Sequence, residues 1–313
     1  MPSFSVLPAC EGFLFWSFNS ALVSQPKPVP PLRGTIDPET FRGLKDQHMH
    51  KVRLMALAFA SGFVSFTSFG QFADSVVSYS QGSGVISGFG NPNAALGAPT
   101  TFIGYQNADP FNPPYQASDI VGVGTGGSLL LHLAQPVYNQ PHPFGLDFII
   151  FGHSGFNITN FDYSGGGITD GSFFTGGTST SHVSVSADGI TFFTLNPSLA
   201  PQVDGLFPTD SGHDPLLPVN PALTQNDFAG KDLAGIRALY GGSAGGMGFD
   251  LSLAQDALGN SVFLPVANYV RIDVLSGPAY IDAVSVVPEP RVGAMMVLGG
   301  IVSFWIRRKR VGL

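Results

Sequence analysis

Residues 74–287 contain almost none of the residues from which long helices are built. This stretch has one Lys, two Arg and no Glu, and Gly, Pro, Asn or Asp interrupts its apolar runs every few residues. Lys, Arg and Glu are good helix formers, whereas Gly and Pro disfavour helices strongly. Short β-branched and aromatic runs bounded by turn formers are typical of strands. The stretch is therefore predicted to form a single all-β domain, a β-sandwich.

The strongest strand candidates share this composition and are separated by turn residues. They are 75–80, 128–134, 146–151, 182–187, 190–195, 269–275 and 279–287. In the run 182–187 valines alternate with serines, which predicts one buried face and one polar face. Asp188-Gly189 follows directly and matches a two-residue type I′ hairpin turn.

The intervening segments 81–127, 152–181 and 196–243 are long and rich in Gly, Pro and Asn. They are predicted to be loops, and long loops on a rigid scaffold often carry recognition sites. Only 233–240 and 251–258 show a weak helical pattern.

Charge and cysteine content exclude several classes of function for residues 74–287. Three basic residues face sixteen aspartates, which gives a net charge near −13. Such a surface repels phosphate backbones, so nucleic-acid binding is excluded. The sole cysteine of the chain is Cys10. Disulfides, thiol catalysis and Cys-ligated zinc are therefore not expected in this domain.

Residues 49–73 have the order of parts of a secretory signal peptide. A basic start at 49–53 precedes the apolar run 54–69, and small residues follow at Ser68 and Gly70. Cleavage after Gly70 is favoured, with cleavage after Ala73 as the alternative. Residues 1–48 do not fit an export signal and are interpreted as a mis-annotated or disordered extension, with translation starting at Met49. A long segment removed together with the signal is the other interpretation.

The C-terminal segment 288–313 combines a proline-bounded triplet, an apolar run and a basic cluster. Pro288-Glu289-Pro290 cannot lie inside a helix, and the run 292–306 is shorter than the ~20 residues that cross a bilayer comfortably. The cations should remain on the cytoplasmic side. They are Arg307, Arg308, Lys309 and Arg310. A short transmembrane helix is predicted, either as a membrane anchor or as part of a processing signal.

This order of parts resembles the PEP-CTERM sorting signal of bacteria with an outer envelope. The resemblance covers 288–310 and implies a sorting enzyme of the exosortase type as partner. It also implies an inner-membrane intermediate, followed by the cell surface or the extracellular matrix. A generic C-terminal anchor is the alternative.

A second resemblance concerns the domain itself. The segments 183–192 and 267–274 are similar to the "strand, Ser-x-Asp-Gly, strand … Tyr-Val-Arg-Ile" pattern of discoidin-like, galactose-binding-like jelly rolls. The segments 127–133, 147–151 and 281–284 are similar to bacterial cell-surface proteins. The resemblance implies a jelly-roll fold, but it implies no ligand because the binding loops of such folds vary freely.

Two motifs have the letters of catalytic or cofactor sites without their context. Gly152-His153-Ser154-Gly155 resembles an esterase nucleophile elbow, but its second glycine comes one residue early and no helix is predicted after it. The Gly-x-Gly-x-x-Gly letters at 122–127 lead into a strand, which predicts a turn and no dinucleotide site. The histidines lack metal-ligand spacing. They are His132, His142, His153, His182 and His213. The chain is not expected to be an enzyme.

Calcium is the one cofactor that the aspartates suggest, because hard cations take carboxylate oxygens from flexible loops. The jelly-roll resemblance implies a structural calcium as well. The candidate ligands are Asp204, Asp210, Asp214, Asp227 and Asp232. Loop aromatics could instead form a platform for sugar rings. The candidates are Tyr163, Phe173 and Phe174, with Tyr105 and Tyr115 as further loop aromatics.

The sequence thus favours an exported, non-catalytic protein of the cell surface or extracellular matrix. A carbohydrate-binding module, with extracellular polysaccharide as partner, is the alternative, and a hydrolase is the second alternative.

Overall fold

The computed structural model describes residues 71–289, which are mostly β-sheet. Every strand pair is antiparallel. The strands are β1 (Ala73–Ser80), β2 (Val121–Val123), β3 (Ser128–Tyr138), β4 (Phe148–Gly152), β5 (Gly155–Phe156), β6 (Ile168–Thr169), β7 (Phe173–Thr175), β8 (Thr180–Ser186), β9 (Phe193–Leu195), β10 (Lys231–Asp232), β11 (Met247–Phe249), β12 (Ala254–Gln255), β13 (Val266–Ser276) and β14 (Ala279–Val286). The all-β prediction is confirmed.

Two larger sheets form the body of the domain. A six-stranded sheet has the order β1-β3-β13-β8-β9-β12, and a four-stranded sheet has the order β11-β4-β14-β2. Two short ribbons, β5 with β7 and β6 with β10, are separate from both. The β5–β7 ribbon carries two residues of the candidate functional site, Phe174 and Thr175.

One hydrophobic core takes side chains from both larger sheets. Leu131 on β3 and Ile272 on β13 belong to the same buried cluster as Phe148 on β4 and Val284 on β14. Burying such side chains is the main favourable term in folding, at about 1.5–3 kcal/mol each.

The four-stranded sheet is covered on its second face as well. Ile149 and Phe151 of β4 form a smaller cluster with Ala244, Ala283 and Val287. All five residues of β4 are consequently buried. This explains why the sequence of β4 is continuously apolar. In a strand with one solvent-exposed face, apolar and polar residues would alternate.

Two α-helices lie in the long segment before β11: α1 (Gln225–Phe228) and α2 (Leu233–Tyr240). The Asp232 side chain accepts a hydrogen bond from the N–H of Gly235 at the start of α2, and Gly241 ends it in the left-handed conformation. The predicted helix at 233–240 is confirmed. The prediction at 251–258 is wrong, because only a 3₁₀ turn at Leu251–Leu253 forms before β12 begins.

The hairpin between β8 and β9 exists, but its predicted type I′ turn is wrong. Val185 pairs with Phe193, so the connection is longer than two residues. Gly189 has a positive φ but Asp188 does not. Instead, the Asp188 carboxylate accepts hydrogen bonds from the N–H groups of Ile190 and Thr191, and these bonds lower its pKa to about 2.

The polar face predicted for β8 is also not solvent-exposed. Ser184 and Ser186 are buried, and β8 lies between β13 and β9 in the interior of its sheet. Ser184 shares a hydrogen bond with Thr194, and Ser186 accepts one from the N–H of Gly189. Their hydroxyls are therefore satisfied by partners within the protein.

The first described residues, next to the predicted signal peptide, are held by hydrogen bonds to two strands of the domain. Ala134 N–H donates to the carbonyl of Phe72, and Val286 N–H donates to that of Gln71. Most of the predicted signal peptide, all of 1–48, and the tail from Pro290 onward lie outside the described residues. Among residues 71–289, no helix has the length and apolar character needed to cross a membrane.

Candidate functional site

A chain of three polar side chains connects the end of β4, the end of β7 and the loop after β9. His153 follows β4 directly, Thr175 is the last residue of β7, and Asp204 lies in the loop beyond β9. His153 Nδ1 is 2.6 Å from Asp204 Oδ2, and His153 Nε2 is 2.6 Å from Thr175 Oγ1. We call these three residues the polar relay.

The hydrogen-bond partners fix the direction of the relay. A carboxylate can only accept, so Nδ1 of His153 donates to Asp204. In a neutral imidazole the other nitrogen then accepts, so the Thr175 hydroxyl donates to Nε2. This is the arrangement in which a histidine can take a proton from a hydroxyl group.

Asp204 is held by three donors and is almost completely buried. Its exposed fraction is 1%. Besides the imidazole, it accepts from the N–H of His153 at 2.7 Å and from the N–H of Tyr280 at 3.3 Å. Its φ of 53° lies in the left-handed region, which Asp tolerates better than most residues. A strained backbone held by several contacts is frequent at functional sites.

Two glycines make the close approach of these segments possible. A Cβ on Gly152 would lie 2.6 Å from Asp204 Cα, and one on Gly176 would lie 2.6 Å from Ser154 Cα. Gly176 also has a φ of +74°, which other residues rarely adopt. A side chain at either position would displace a member of the relay.

An aromatic ring covers the imidazole from the side of the four-stranded sheet. The ring centroids of His153 and Tyr280 are 4.4 Å apart, and the Tyr280 hydroxyl accepts from the N–H of Ile86. The His153 ring is therefore fixed by hydrogen bonds at both nitrogens and by packing against one of its sides.

The polar relay opens into an aromatic cleft with a volume of about 360 Å³. His153 and Thr175 line it together with the large rings of Tyr105, Tyr115 and Phe174. The exposed fractions of these three rings are 64%, 49% and 56%. The volume lies within the range of small-molecule sites, and a mostly apolar wall with a few convergent polar groups is typical of such sites. We call this site the aromatic cleft.

Of the predicted sugar platform, only one residue contributes to the aromatic cleft. Phe174 lines it, whereas Phe173 packs inward against Phe156 with a centroid distance of 5.1 Å. Tyr163 lines a different cavity of about 310 Å³, together with Asp109 and Asp162. The other two rings of the cleft are Tyr105 and Tyr115, and neither Tyr163 nor Phe173 lines it.

The candidate calcium ligands accept hydrogen bonds from separate parts of the protein. Asp204 belongs to the polar relay, and Asp210 accepts from the Arg237 guanidinium at 2.8 Å. The other three accept from nearby backbone N–H groups: Asp214 from Leu216, Asp227 from Thr224 and Asp232 from Gly235. Residues 71–289 contain no group of three or more His, Cys, Asp or Glu side chains that could hold a metal ion.

Three other histidines also have carboxylate partners, and one of them is His213, whose Nδ1 lies 3.1 Å from Asp210 Oδ2. His132 lies 2.7 Å from Asp74 at the partly exposed edge of the six-stranded sheet. His142 and Asp147 form a buried pair at 2.7 Å. None of the three pairs lines the aromatic cleft, and within residues 71–289 none of the three imidazoles forms a hydrogen bond with a hydroxyl group.

The elbow-like motif in the sequence pointed to Ser154, whereas the structure places the adjacent His153 in the polar relay. Ser154, the serine of the elbow-like motif, is 2% exposed and does not line the cleft. The adjacent His153 carries the relay, but its partners lie 22 and 51 residues away along the chain. Such separations form no motif, so only the fold could bring Thr175 and Asp204 to this histidine.

Comparisons with known proteins do not assign this site. No protein family model matches the chain, and no curated protein matches it.

Proposed function

We propose that the chain is an exported surface protein whose β-domain, a sandwich of the jelly-roll type, binds a saccharide in the aromatic cleft. The observation that carries the binding proposal is the convergence of Tyr105, Tyr115 and Phe174 around His153 and Thr175. Flat rings provide large contact areas for sugar rings. The Thr175 hydroxyl donates its hydrogen bond to His153 Nε2, and its oxygen can still accept a hydrogen bond from a sugar hydroxyl.

Charge supports a neutral ligand. The domain carries sixteen aspartates against three basic residues, so anionic polymers would be repelled. None of the three basic residues lines the cleft. A neutral polysaccharide or oligosaccharide therefore suits the site better than a sulfated or phosphorylated one.

We expect loss of one cleft ring to weaken saccharide binding about tenfold or more, equivalent to roughly 1.4 kcal/mol. Tyr115→Ala and Phe174→Ala each remove a stacking surface and leave the core intact. A glycan array on residues 71–289 would identify a ligand, and calorimetric titration of that ligand would measure each variant.

Two variants serve as controls for this measurement. Phe263→Ala removes a ring that is 78% exposed and outside the cleft, so affinity should not change. Tyr163→Ala tests the neighbouring cavity. If Tyr163→Ala abolished binding while the two cleft variants bound normally, the ligand would occupy that cavity and the aromatic cleft would be the wrong site.

If the chain is exported, the contacts of residues 71–73 distinguish between the two predicted cleavage sites. Ala73 is 1% exposed and pairs with Leu133, and the carbonyls of Gln71 and Phe72 accept hydrogen bonds from other strands. Cleavage after Ala73 would remove these contacts, whereas cleavage after Gly70 would keep them. This favours Gly70 as the last residue of the signal peptide.

The sorting proposal rests on the sequence of the tail and on the short distance along the chain between the last strand and the Pro-Glu-Pro triplet. β14 ends at Val286, and Val287 is still buried, so the triplet follows the domain without a linker. Glu289 is exposed, with its carboxylate 3.9 Å from His142 Nε2. A sorting enzyme would therefore act close to the body of the domain.

Replacement of Pro288-Glu289-Pro290 by three alanines should leave membrane insertion intact but stop processing and arrival at the surface. The cations from Arg307 to Arg310 would still resist transfer across hydrocarbon, at about 2.5–3.5 kcal/mol each. Surface labelling and the apparent mass of the exported chain measure the outcome. Arrival of the triple variant at the surface at the parental size and rate would show that the tail is only an anchor.

A further inference from the structure

We propose that the polar relay activates the Thr175 hydroxyl as a nucleophile and that the aromatic cleft hydrolyses a carboxylic ester, with an O-acylated saccharide as the fitting substrate class. The class of substrate rests on the proposed saccharide binding, whereas the nucleophile is argued from the relay alone. In this assignment Thr175 is the nucleophile, His153 the general base and acid, and Asp204 a positioning residue.

The distances within the polar relay meet two requirements of nucleophilic catalysis. The nucleophile and base must lie within hydrogen-bond reach, and a third group must orient the base. Thr175 Oγ1 is 2.6 Å from His153 Nε2, and Asp204 Oδ2 is 2.6 Å from Nδ1. Asp204 Oδ1 also accepts from the backbone N–H of His153, so the carboxylate orients both the ring and its backbone.

Access distinguishes this relay from a purely structural network. Asp204 is buried, but both His153 and Thr175 line the open cleft and are only partly buried. A substrate held by the aromatic walls would lie in the same cleft that Thr175 lines. The His132, His142 and His213 pairs lack such a hydroxyl, which makes the His153 site different in chemistry from the other three.

The reaction balances with water as the only co-reactant. Thr175 Oγ1 bonds to the carbonyl carbon of the ester while its proton passes to His153 Nε2. The bond from that carbon to the alkoxy oxygen then breaks, and the leaving alcohol takes the proton from Nε2. Water attacks the acyl-threonine and gives its proton to Nε2, and this proton returns to Thr175 as the carboxylic acid leaves.

The direct test is covalent labelling of the full chain with diisopropyl fluorophosphate, combined with turnover of p-nitrophenyl acetate. We expect one adduct on the peptide that contains Thr175 and turnover above the buffer blank. Thr175→Val, which keeps the shape but removes the hydroxyl, should abolish the adduct and lower turnover roughly 10²–10⁴-fold. Thr175→Ser should retain both signals, because it restores the hydroxyl.

Asp204→Asn tests the positioning role. An asparagine can still accept from the His153 N–H, but its amide would then face Nδ1 as a donor. The imidazole would carry its proton on Nε2 and could no longer take one from Thr175, so turnover should fall while saccharide binding persists.

The controls separate a catalytic relay from a structural one. Thr180→Val alters an exposed threonine outside the cleft and should leave labelling and turnover unchanged. Ser154→Ala should also leave them unchanged; labelling at Ser154 would overturn the assignment of Thr175. Absence of both adduct and turnover in the parent chain, or equal turnover in Thr175→Val, would overturn the proposal. If saccharide still bound, the proposed function would stand without it. Turnover without saccharide binding would refute only the saccharide proposal.

Discussion

Phe156→Ala is expected to destabilise the domain by about 3–5 kcal/mol. Phe156 on β5 is fully buried, with its ring stacked on Phe173 at 5.1 Å and tilted against Phe228 at 4.9 Å. Truncation removes the contacts of a large ring and leaves a cavity between the β5–β7 ribbon and the core. For a domain of this size the melting temperature should fall on the order of 10 °C.

Thermal and urea unfolding of residues 71–289 measure this effect. Phe263→Ala is the matched control, since that ring is 78% exposed and its loss should change the free energy of unfolding by no more than about 0.5 kcal/mol. Phe156→Leu should fall between the two because it fills part of the cavity. Equal stability of Phe156→Ala and the parent would mean that the ribbon is not anchored by this ring.

The same substitution connects packing to function. β7 ends at Thr175, and Phe173 on the same strand is one of the two rings that Phe156 contacts. Loss of the Phe156 ring should therefore loosen the strand that positions Thr175 and Phe174. Saccharide binding and turnover should both decline in Phe156→Ala at temperatures where the domain is still folded.

The long strands could be predicted from sequence because their residues are determined by burial. β3, β13 and β14 carry apolar side chains into the core, and such runs have a recognisable composition. The short strands β5, β6 and β7 lie in a segment predicted to be a loop. They are two or three residues long, so they depend on pairing with distant segments and leave no periodic pattern.

The candidate site could be predicted only in fragments. Loop aromatics and an aspartate-rich segment were recognisable, but which of them converge depends on tertiary contacts. Phe173 and Phe174 are adjacent, and the pleat sends one ring into the core and the other into the cleft. Asp204 has no neighbour along the chain that marks it as a partner of His153. The prediction of a type I′ turn after β8 was wrong for a related reason. The Asp188 side chain forms hydrogen bonds that a backbone turn rule does not include.

The free energy of unfolding of the parent domain is expected to fall as pH rises, and Asp282→Asn should remove most of this decrease. Asp282 lies on β14 and is 2% exposed. Burial raises its pKa to about 7, against the lowering effect of hydrogen bonds from Thr100, and the nearby Asp119 charge adds to the rise. The folded protein therefore holds a proton on this carboxyl at pH values where the unfolded chain, with an ordinary value of 3.8, has released it.

The sign follows from proton binding. Between about pH 4 and pH 7 the folded state binds more protons at Asp282 than the unfolded state, so the free energy of unfolding falls as pH rises. A shift from 3.8 to about 7 corresponds to a loss on the order of 4 kcal/mol over this window. Asparagine can keep an acceptor for the Thr100 N–H and carries no charge at any pH. The variant should therefore gain stability relative to the parent by up to this amount between pH 4 and pH 7.

Urea unfolding of residues 71–289 at pH 4, 5.5 and 7 measures the difference between the two proteins. The buried Asp147 also has a raised pKa because of desolvation, so a residual slope should remain in both and cancel in the comparison. Asp162→Asn is the control. Hydrogen bonds from Ser164 lower the pKa of that exposed carboxyl from its ordinary value of 3.8, so its effect should change little between pH 5.5 and pH 7, where the Asp282 effect should still change. If Asp282→Asn and the parent differed by the same amount at all three pH values, Asp282 would be charged in the folded domain throughout. The Thr100 hydrogen bonds would then outweigh the cost of its burial.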